Sequence, residues 1–201
     1  MRVLVACEFS GRVRDAFRAR GHDAWSCDLL PTERPGPHIQ GDVLKILDDG
    51  WDLMIAHDPC TYQCNSGVRW LYGEPERWEK LDESCIFTRK LFNAPIPKKA
   101  RENPIPHKYA LERIGRKYDQ IIHPWQFGHP ETKATCLWLE NLPPLKPTNI
   151  VDGREGRIWK MSPSKDRGKK RSITFQGIAD AMAEQWGTPS RPRLTPPRPV
   201  G

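Results

Sequence analysis

Two short apolar runs constrain this chain more than any other feature: Arg2–Ala6 (RVLVA) and Asp52–Ala56 (DLMIA), each halted at once by polar and turn-forming residues. Runs of this length read as buried strands. The residues that follow them then lie on loops at strand carboxyl ends, where open α/β sheets carry their chemistry. The second run delivers His57-Asp58-Pro59 and then Cys60 onto such a loop, with polar Thr61, Gln63, Asn65 and Ser66 and a turn-forming Gly67 behind it. A thiol presented there is a candidate nucleophile. The alternative is a small residue that fills space at a strand end.

The rest of the sequence continues this alternation. After the first run, Cys7-Glu8-Phe9-Ser10-Gly11 forms a tight turn, and Val13, Ala16 and Phe17 mark the inner face of a helix. Ser10 is its expected N-cap, with Arg12, Arg14, Asp15 and Arg18 facing away. A second strand is predicted over 23–27, and Asp28 stands at its end, 17 positions after Gly11. An acidic side chain roughly 20 residues beyond a first turn can bond a ribose hydroxyl of a nucleoside cofactor. Gly41-Asp42-Val43 opens a short element in which Asp42 either contacts a cofactor base or only makes a turn. Leu81, Cys85, Phe87 and Leu91 predict a helix covering the sheet.

Pro97–Pro104 (PKKARENP) stands where a further parallel strand belongs, although Lys98, Lys99 and Arg101 make it a poor buried one. Glu102-Asn103 then falls at a strand end. Residues 118–123 and 134–139 predict a hairpin around the loop 124–133. Phe175, Ile178, Ala179, Met182 and Trp186 predict a final helix whose apolar stripe is core packing.

A chain of 201 residues suits one domain with a substantial core. Its net charge of +7 favours a polyanionic partner, nucleic acid or a phosphorylated small molecule. Much of that charge lies in 154–171 and the tail, where it also suits solvated segments. The 20 prolines concentrate at 31–37, 95–106, 143–147 and the last dozen residues, and 188–201 reads as a flexible tail. Six dispersed cysteines without a repeated CxxC pair point to reduced thiols. With no signal-like or membrane-length apolar stretch, a soluble cytoplasmic protein with no membrane partner is expected.

Taken in order, EFSG at 8–11, Asp28, GDV at 41–43, HDPCTYQCNSG at 57–67, ENP at 102–104 and FQGIADAMAEQW at 175–186 resemble the motifs of the cytosine carbon-5 DNA methyltransferases. The resemblance covers most of residues 1–187. It implies an α/β, Rossmann-like S-adenosylmethionine-dependent methyltransferase fold: a single mostly parallel sheet with flanking helices. It implies S-adenosylmethionine contacts at Phe9, Ser10, Gly11, Asp28 and Asp42, with the free N–H groups of the helix that Ser10 and Gly11 open suiting the cofactor's carboxylate. Cys60 would add to carbon 6 of cytosine, Glu102 would hold the ring at N3 and the exocyclic amine, and Asn103 would fix the loop. Substrate contacts would come from Asp58, Pro59, Lys133 and Thr135. No metal is implied.

The chain departs from the family pattern in three places. Asp58 replaces the first Pro of the nucleophile loop, and a carboxylate beside Cys60 should raise the thiol pKa by repulsion unless it points away. PETKAT at 130–135 is a loose counterpart of the Gln-x-Arg-x-Arg segment, with Lys133 as its sole cation. A basic, Pro-rich insert over 140–174 stands where a target-recognition domain belongs, giving a catalytic domain over 1–187 and a tail over 188–201. The implied function is methyl transfer to carbon 5 of cytosine, in DNA, through a covalent Cys60 adduct, with loose specificity or a protein partner to supply it. The alternatives are carbon-5 modification of a pyrimidine nucleotide, and an inactive nucleic-acid-binding relative marked by Asp58 and Arg101. A zinc site from His57, Cys60 and Cys64 lacks an evident fourth ligand; otherwise Cys64 is expected to be dispensable.

Overall fold

The two apolar runs are neighbouring strands at the middle of one sheet. In a computed structural model that describes residues 1–187, β1 (Arg2–Ala6) pairs in parallel with β2 (Asp23–Asp28) on one side and with β4 (Leu53–Ala56) on the other. The reading of 188–201 as a flexible tail lies outside the described residues. β3 (His38–Gln40) extends the sheet beyond β2, and β5 (Lys98–Pro104) extends it beyond β4, both in parallel. The far edge holds β6 (Gln120–Ile122) and β7 (Thr135–Glu140), which pair antiparallel with each other as the expected hairpin. β7 also runs antiparallel to β5, so the order among the described residues is β3-β2-β1-β4-β5-β7-β6. The result is a mostly parallel, Rossmann-like α/β sheet whose strand order reverses between β1 and β4, the position where such sheets open a crevice.

Burial on both faces explains why β1 and β4 are apolar without alternation. Val3, Val5, Leu53 and Ile55 pack against α1 (Arg12–Arg18) and α6 (Gln176–Gly187) through Val13, Phe17, Ile178 and Met182. Leu4, Ala6, Met54 and Ala56 point the other way, toward Trp51, Ile96 and Leu91 of α2 (Glu76–Phe92). A smaller cluster joins Leu81 and Cys85 of α2 to Ala110 and Ile114 of α3 (Lys108–Ile114). None of the described helices is long and apolar enough to cross a membrane.

Two expectations are corrected here. β5 is a fully paired interior strand despite its charges, because each buried charge has a partner. Lys99 Nζ donates to the carbonyls of Phe92 at 2.7 Å and Ala94 at 2.9 Å and lies 3.1 Å from Glu140. Arg101 pairs with Asp58 and lies 4.3 Å over the Trp138 ring. Arg14 does not face away from the core but is fully buried. Its guanidinium donates to Ser26, Thr32 and the carbonyls of Arg34 and Pro35, tying the 31–37 loop to α1. Gly36, at φ +149°, makes room for it, since a Cβ there would stand 2.8 Å from the guanidinium carbon.

The insert is not uniformly detached. Leu145 is buried, the Trp186 indole donates to the Pro143 carbonyl at 3.0 Å, and the Lys146 N–H donates to Gln185 Oε1 at 2.8 Å, so its first part belongs to the packing of α6. Its basic part forms two short helices, α4 (Arg157–Lys160) and α5 (Arg167–Ser172), with no buried residues. α5 lies over the first turn: Lys169 Nζ is 2.8 Å from Glu33 and 5.0 Å over the Phe9 ring.

Candidate active site

Cys27, Ala6, Ala56 and Arg101 are aligned across β2, β1, β4 and β5. The next residue on each strand therefore forms a row along the carboxyl edge: Asp28, Cys7, His57 and Glu102. Burial, then the charges of Asp58, Asp28 and Asp42, together with Cys27, push the Cys7 thiol well above its ordinary range. Asp28 and Asp42 thus flank the end of β1, on one side of the crevice. Asp28 Oδ1 accepts from Leu30 N at 2.9 Å, and Asp42 Oδ1 accepts from Leu44 N at 3.0 Å as the cap of a short 3-10 turn at Val43–Lys45.

The first turn is built differently from expectation. Gly11, left-handed at φ +71°, is the N-cap of α1, and Ser10 is not. Glu8 supplies the missing acceptor: Oε1 takes the Val13 N–H at 2.7 Å and the Ser10 hydroxyl at 3.2 Å, while Oε2 takes the Arg14 N–H at 3.3 Å. The N–H groups expected to stay free for a ligand carboxylate are therefore occupied by the chain's own, which also suits the positive end of the helix. Phe9 and Ser10 are both buried beneath α5 and α1.

On the other side, one turn carries the nucleophile candidate. The Cys60 carbonyl accepts from Gln63 N and Cys64 N, both at 3.0 Å, and Cys60 is half-buried. Asp58 does not face a substrate but points inward and is 2% exposed. Its Oδ1 lies 2.6 Å from Arg101 Nε, its Oδ2 accepts from Arg101 Nη2 at 3.1 Å and from the Thr88 hydroxyl at 2.7 Å. Gln63 closes the network, accepting from Arg101 Nη2 at 2.6 Å and donating to Thr88 and Ser84. Asn103 Nδ2 donates to the Asp58 carbonyl at 3.1 Å. The loop is thereby fixed to β5 and α2, while Pro59 stays exposed at its tip.

The charge of Asp58 is matched by Arg101, so the expected repulsion between Asp58 and Cys60 is not what acts on the thiol. Cys60 is pushed up first by its hydrogen bond with the Cys64 sulfur, then by burial and by the charges of Cys64 and Glu102, with Lys133 opposing. Cys64 is pulled down to about 5, because the Cys60 thiol, the Ser66 hydroxyl and the N–H of Gly67 all stabilise its thiolate. The hydrogen bond between the two sulfurs favours a thiolate at Cys64 and a thiol at Cys60.

Glu102 is buried against His57, whose Nδ1 lies 2.9 Å from its Oε2. Burial works to raise Glu102, but the His57 hydrogen bond, the charges of Lys133 and His57 and a hydrogen bond from Thr135 outweigh it and hold the carboxyl down at about 2. Burial works to lower His57, and the bond to Glu102 with the charges of Glu102 and Glu8 reverses that, leaving His57 raised. Lys133 and Thr135 thus stand beside Glu102, and Lys133 Nζ donates to the Arg171 carbonyl at 2.9 Å. Among the described residues no group of three or more His, Cys, Asp or Glu side chains is arranged to hold a metal; His57 is engaged with Glu102 instead.

The strand-end row brings Cys60, Glu102, Asn103, Lys133 and Thr135 to one side, and Asp28, Asp42 and the Phe9–Gly11 turn to the other. Three contributors escaped the sequence reading. Glu8 was legible as an acid in a tight turn before a helix. His57 and Arg101 act through partners 45 and 43 positions away, and no local pattern signals such pairing.

No family model and no curated protein matches the chain. Among solved structures it is similar to a candidate DNA modification methyltransferase encoded within an E. coli prophage, at 13% identity and a TM-score of 0.49, over 81% of this chain and 55% of that one. The chain spans about half the length of that structure.

Proposed function

We propose that this chain transfers a methyl group from S-adenosylmethionine to carbon 5 of cytosine in DNA, through a covalent adduct at Cys60. The observation that most supports this reading is the adjacency of the Cys60 loop and Glu102-Asn103 at the carboxyl ends of the paired strands β4 and β5, with Asn103 bonded to the loop backbone. Carbon 5 of cytosine is too weak a nucleophile to accept a methyl group unaided, and thiolate addition at carbon 6 turns the ring into an enamine. Cys60 would form that bond, Glu102 would face N3 and the exocyclic amine, and Lys133 would offset the negative charge gathered around the thiol.

When bound, S-adenosylmethionine supplies an activated methyl group on sulfur. Asp28 and Asp42 suit its nucleoside portion, whereas the occupied α1 N-terminus does not suit its carboxylate. On this reading 1–187 is the catalytic unit, and the basic helices α4 and α5 meet phosphates rather than read a long sequence. The charge of Asp58 is matched by Arg101 and turned away from Cys60, so it gives no support to the inactive-relative alternative.

The test is incubation with labelled S-adenosylmethionine and DNA carrying 5-fluorocytosine, or the corresponding nucleotide. With no proton to remove from carbon 5, the adduct should persist, and mass spectrometry should find it on the Cys60 peptide. Cys60→Ser should give none. Absence of an adduct with DNA and nucleotide alike would leave nucleic-acid binding without chemistry as the better reading.

A further inference from the structure

Resting on the reading of Glu102 as the group that faces the cytosine ring, we infer that His57 supplies the proton that Glu102 hands to ring nitrogen N3, the two side chains working as one proton-carrying pair. The reason begins with a mismatch. An ionised carboxylate only accepts hydrogen bonds and cytosine N3 only accepts, so they cannot pair unless a proton lies between them. Glu102 is held ionised far below neutrality and does not carry that proton by itself.

What stands against it is His57, with Nδ1 2.9 Å from Oε2 and both side chains 9% exposed. The pairing of Ala56 with Arg101 makes them consecutive neighbours across β4 and β5. His57 Nε2 is buried with no hydrogen-bond partner among the described residues, which leaves Glu102 as the group with which the ring exchanges a proton. The charged groups facing His57 are Glu102 from β5, Glu8 from the turn after β1 and Lys133 from the loop before β7. The two carboxylates favour the imidazolium, Lys133 and burial oppose it, and the carboxylates prevail. Asp58, next in the chain, is turned into its pair with Arg101.

The step balances as follows. Cys60 passes its thiol proton to the adjoining Cys64 thiolate as its Sγ bonds to carbon 6, the C5–C6 π pair moves to C4–C5, and the C4–N3 π pair moves onto N3. N3 takes the proton of the Glu102 carboxyl, and Glu102 takes the Nδ1 proton of His57, leaving a neutral imidazole. Carbon 5 then bonds the methyl group, the S–CH3 bonding pair remaining on the cofactor's sulfur, and the N3 proton returns by the same route. Loss of the carbon-5 proton to a base and departure of the thiolate complete the cycle. His57 never touches the base; it acts through Glu102.

The experiment measures the rate of adduct formation on 5-fluorocytosine DNA between pH 5.5 and 8.5 for the native chain and for His57→Asn, which keeps a donor near Nδ1 but has no proton to give. At pH 7.5 the variant should be slower by about 10²-fold or more, the usual range for a lost proton transfer. The deficit should shrink as pH falls, because solvent can then load Glu102, and cofactor affinity by calorimetry should be unchanged. A deficit independent of pH, or none, overturns the inference while the methyl-transfer reading stands. A native chain that forms no adduct overturns both. Nitrogen NMR of the native protein gives a check free of variants: His57 should remain doubly protonated above pH 6.5 and lose that property in Glu102→Gln. A neutral His57 ring at pH 6.5 in the native protein overturns the inference whatever the kinetics show.

Discussion

The backbone N–H of Cys64 donates to the carbonyl of Cys60 at 3.0 Å, so a single turn holds both sulfurs within reach of each other. The sulfur assigned the proposed addition is thus restrained by its neighbour. Alkylation with iodoacetamide at pH 6–8, followed by peptide mapping, should label Cys64 before Cys60, since their shared hydrogen bond lowers Cys64 and raises Cys60. Cys64→Ser removes the competing thiolate, so Cys60 should titrate lower and react faster at neutral pH. Equal labelling of the two thiols in the native chain would contradict this assignment.

Asp58→Ala should cost about 3–5 kcal/mol, because it leaves the Arg101 guanidinium buried without its counter-charge. Asp58→Pro, although it restores the residue of the resembled family, should destabilise for the same reason. Replacing both partners, as in Asp58→Ala with Arg101→Met, should cost less than the sum of the single changes. Urea denaturation of the four proteins measures the coupling, and strict additivity would count against it.

Acid stability should follow Glu102. Its carboxyl lies at about 2 in the fold against an ordinary 4.5, so its contribution is full above 4.5 and is lost as pH falls through that interval. His57, raised from 6.5, contributes below that value and loses its contribution as pH rises through its folded pKa. Glu102→Gln should therefore flatten both limbs of the stability profile measured by thermal melts from pH 2 to 8.

Gly177→Ala should weaken the docking of α6. A Cβ there would stand 1.9 Å from the Phe127 carbonyl oxygen, a backbone atom that cannot turn aside, and the Gly177 N–H also donates to His129 at 3.0 Å. A melting temperature unchanged by the substitution would show that the helix start yields more easily than this geometry allows.

Much of the sheet was legible because β1, β4 and the stripe of α6 declare their burial through apolar residues alone. The hairpin of β6 and β7 was legible for the same reason. β5 was legible as a parallel strand from its place in the order but not as a buried one until Asp58, Gln63, Glu140 and the carbonyls of Phe92 and Ala94 are brought to its charges. Arg14 misled in the same way: its helical position is polar by composition, yet the loop it grips supplies three oxygen acceptors and Ser26 of β2 a fourth. At the site, the order of motifs brought Cys60, Glu102 and Asn103 into view. The protonic partner of Glu102 stayed hidden because His57 looked like part of a loop rather than the continuation of a strand edge.

The closed network around Asp58 also bears on how this chain can change over generations. Asp58, Gln63, Thr88 and Arg101 bond to one another, so a change at any one of them exposes the rest to selection. Descendants that keep Arg101 should keep an acid at 58, and lineages with proline at 58 should carry an uncharged residue at 101. The heritable unit is the pair, spread over 43 positions of sequence.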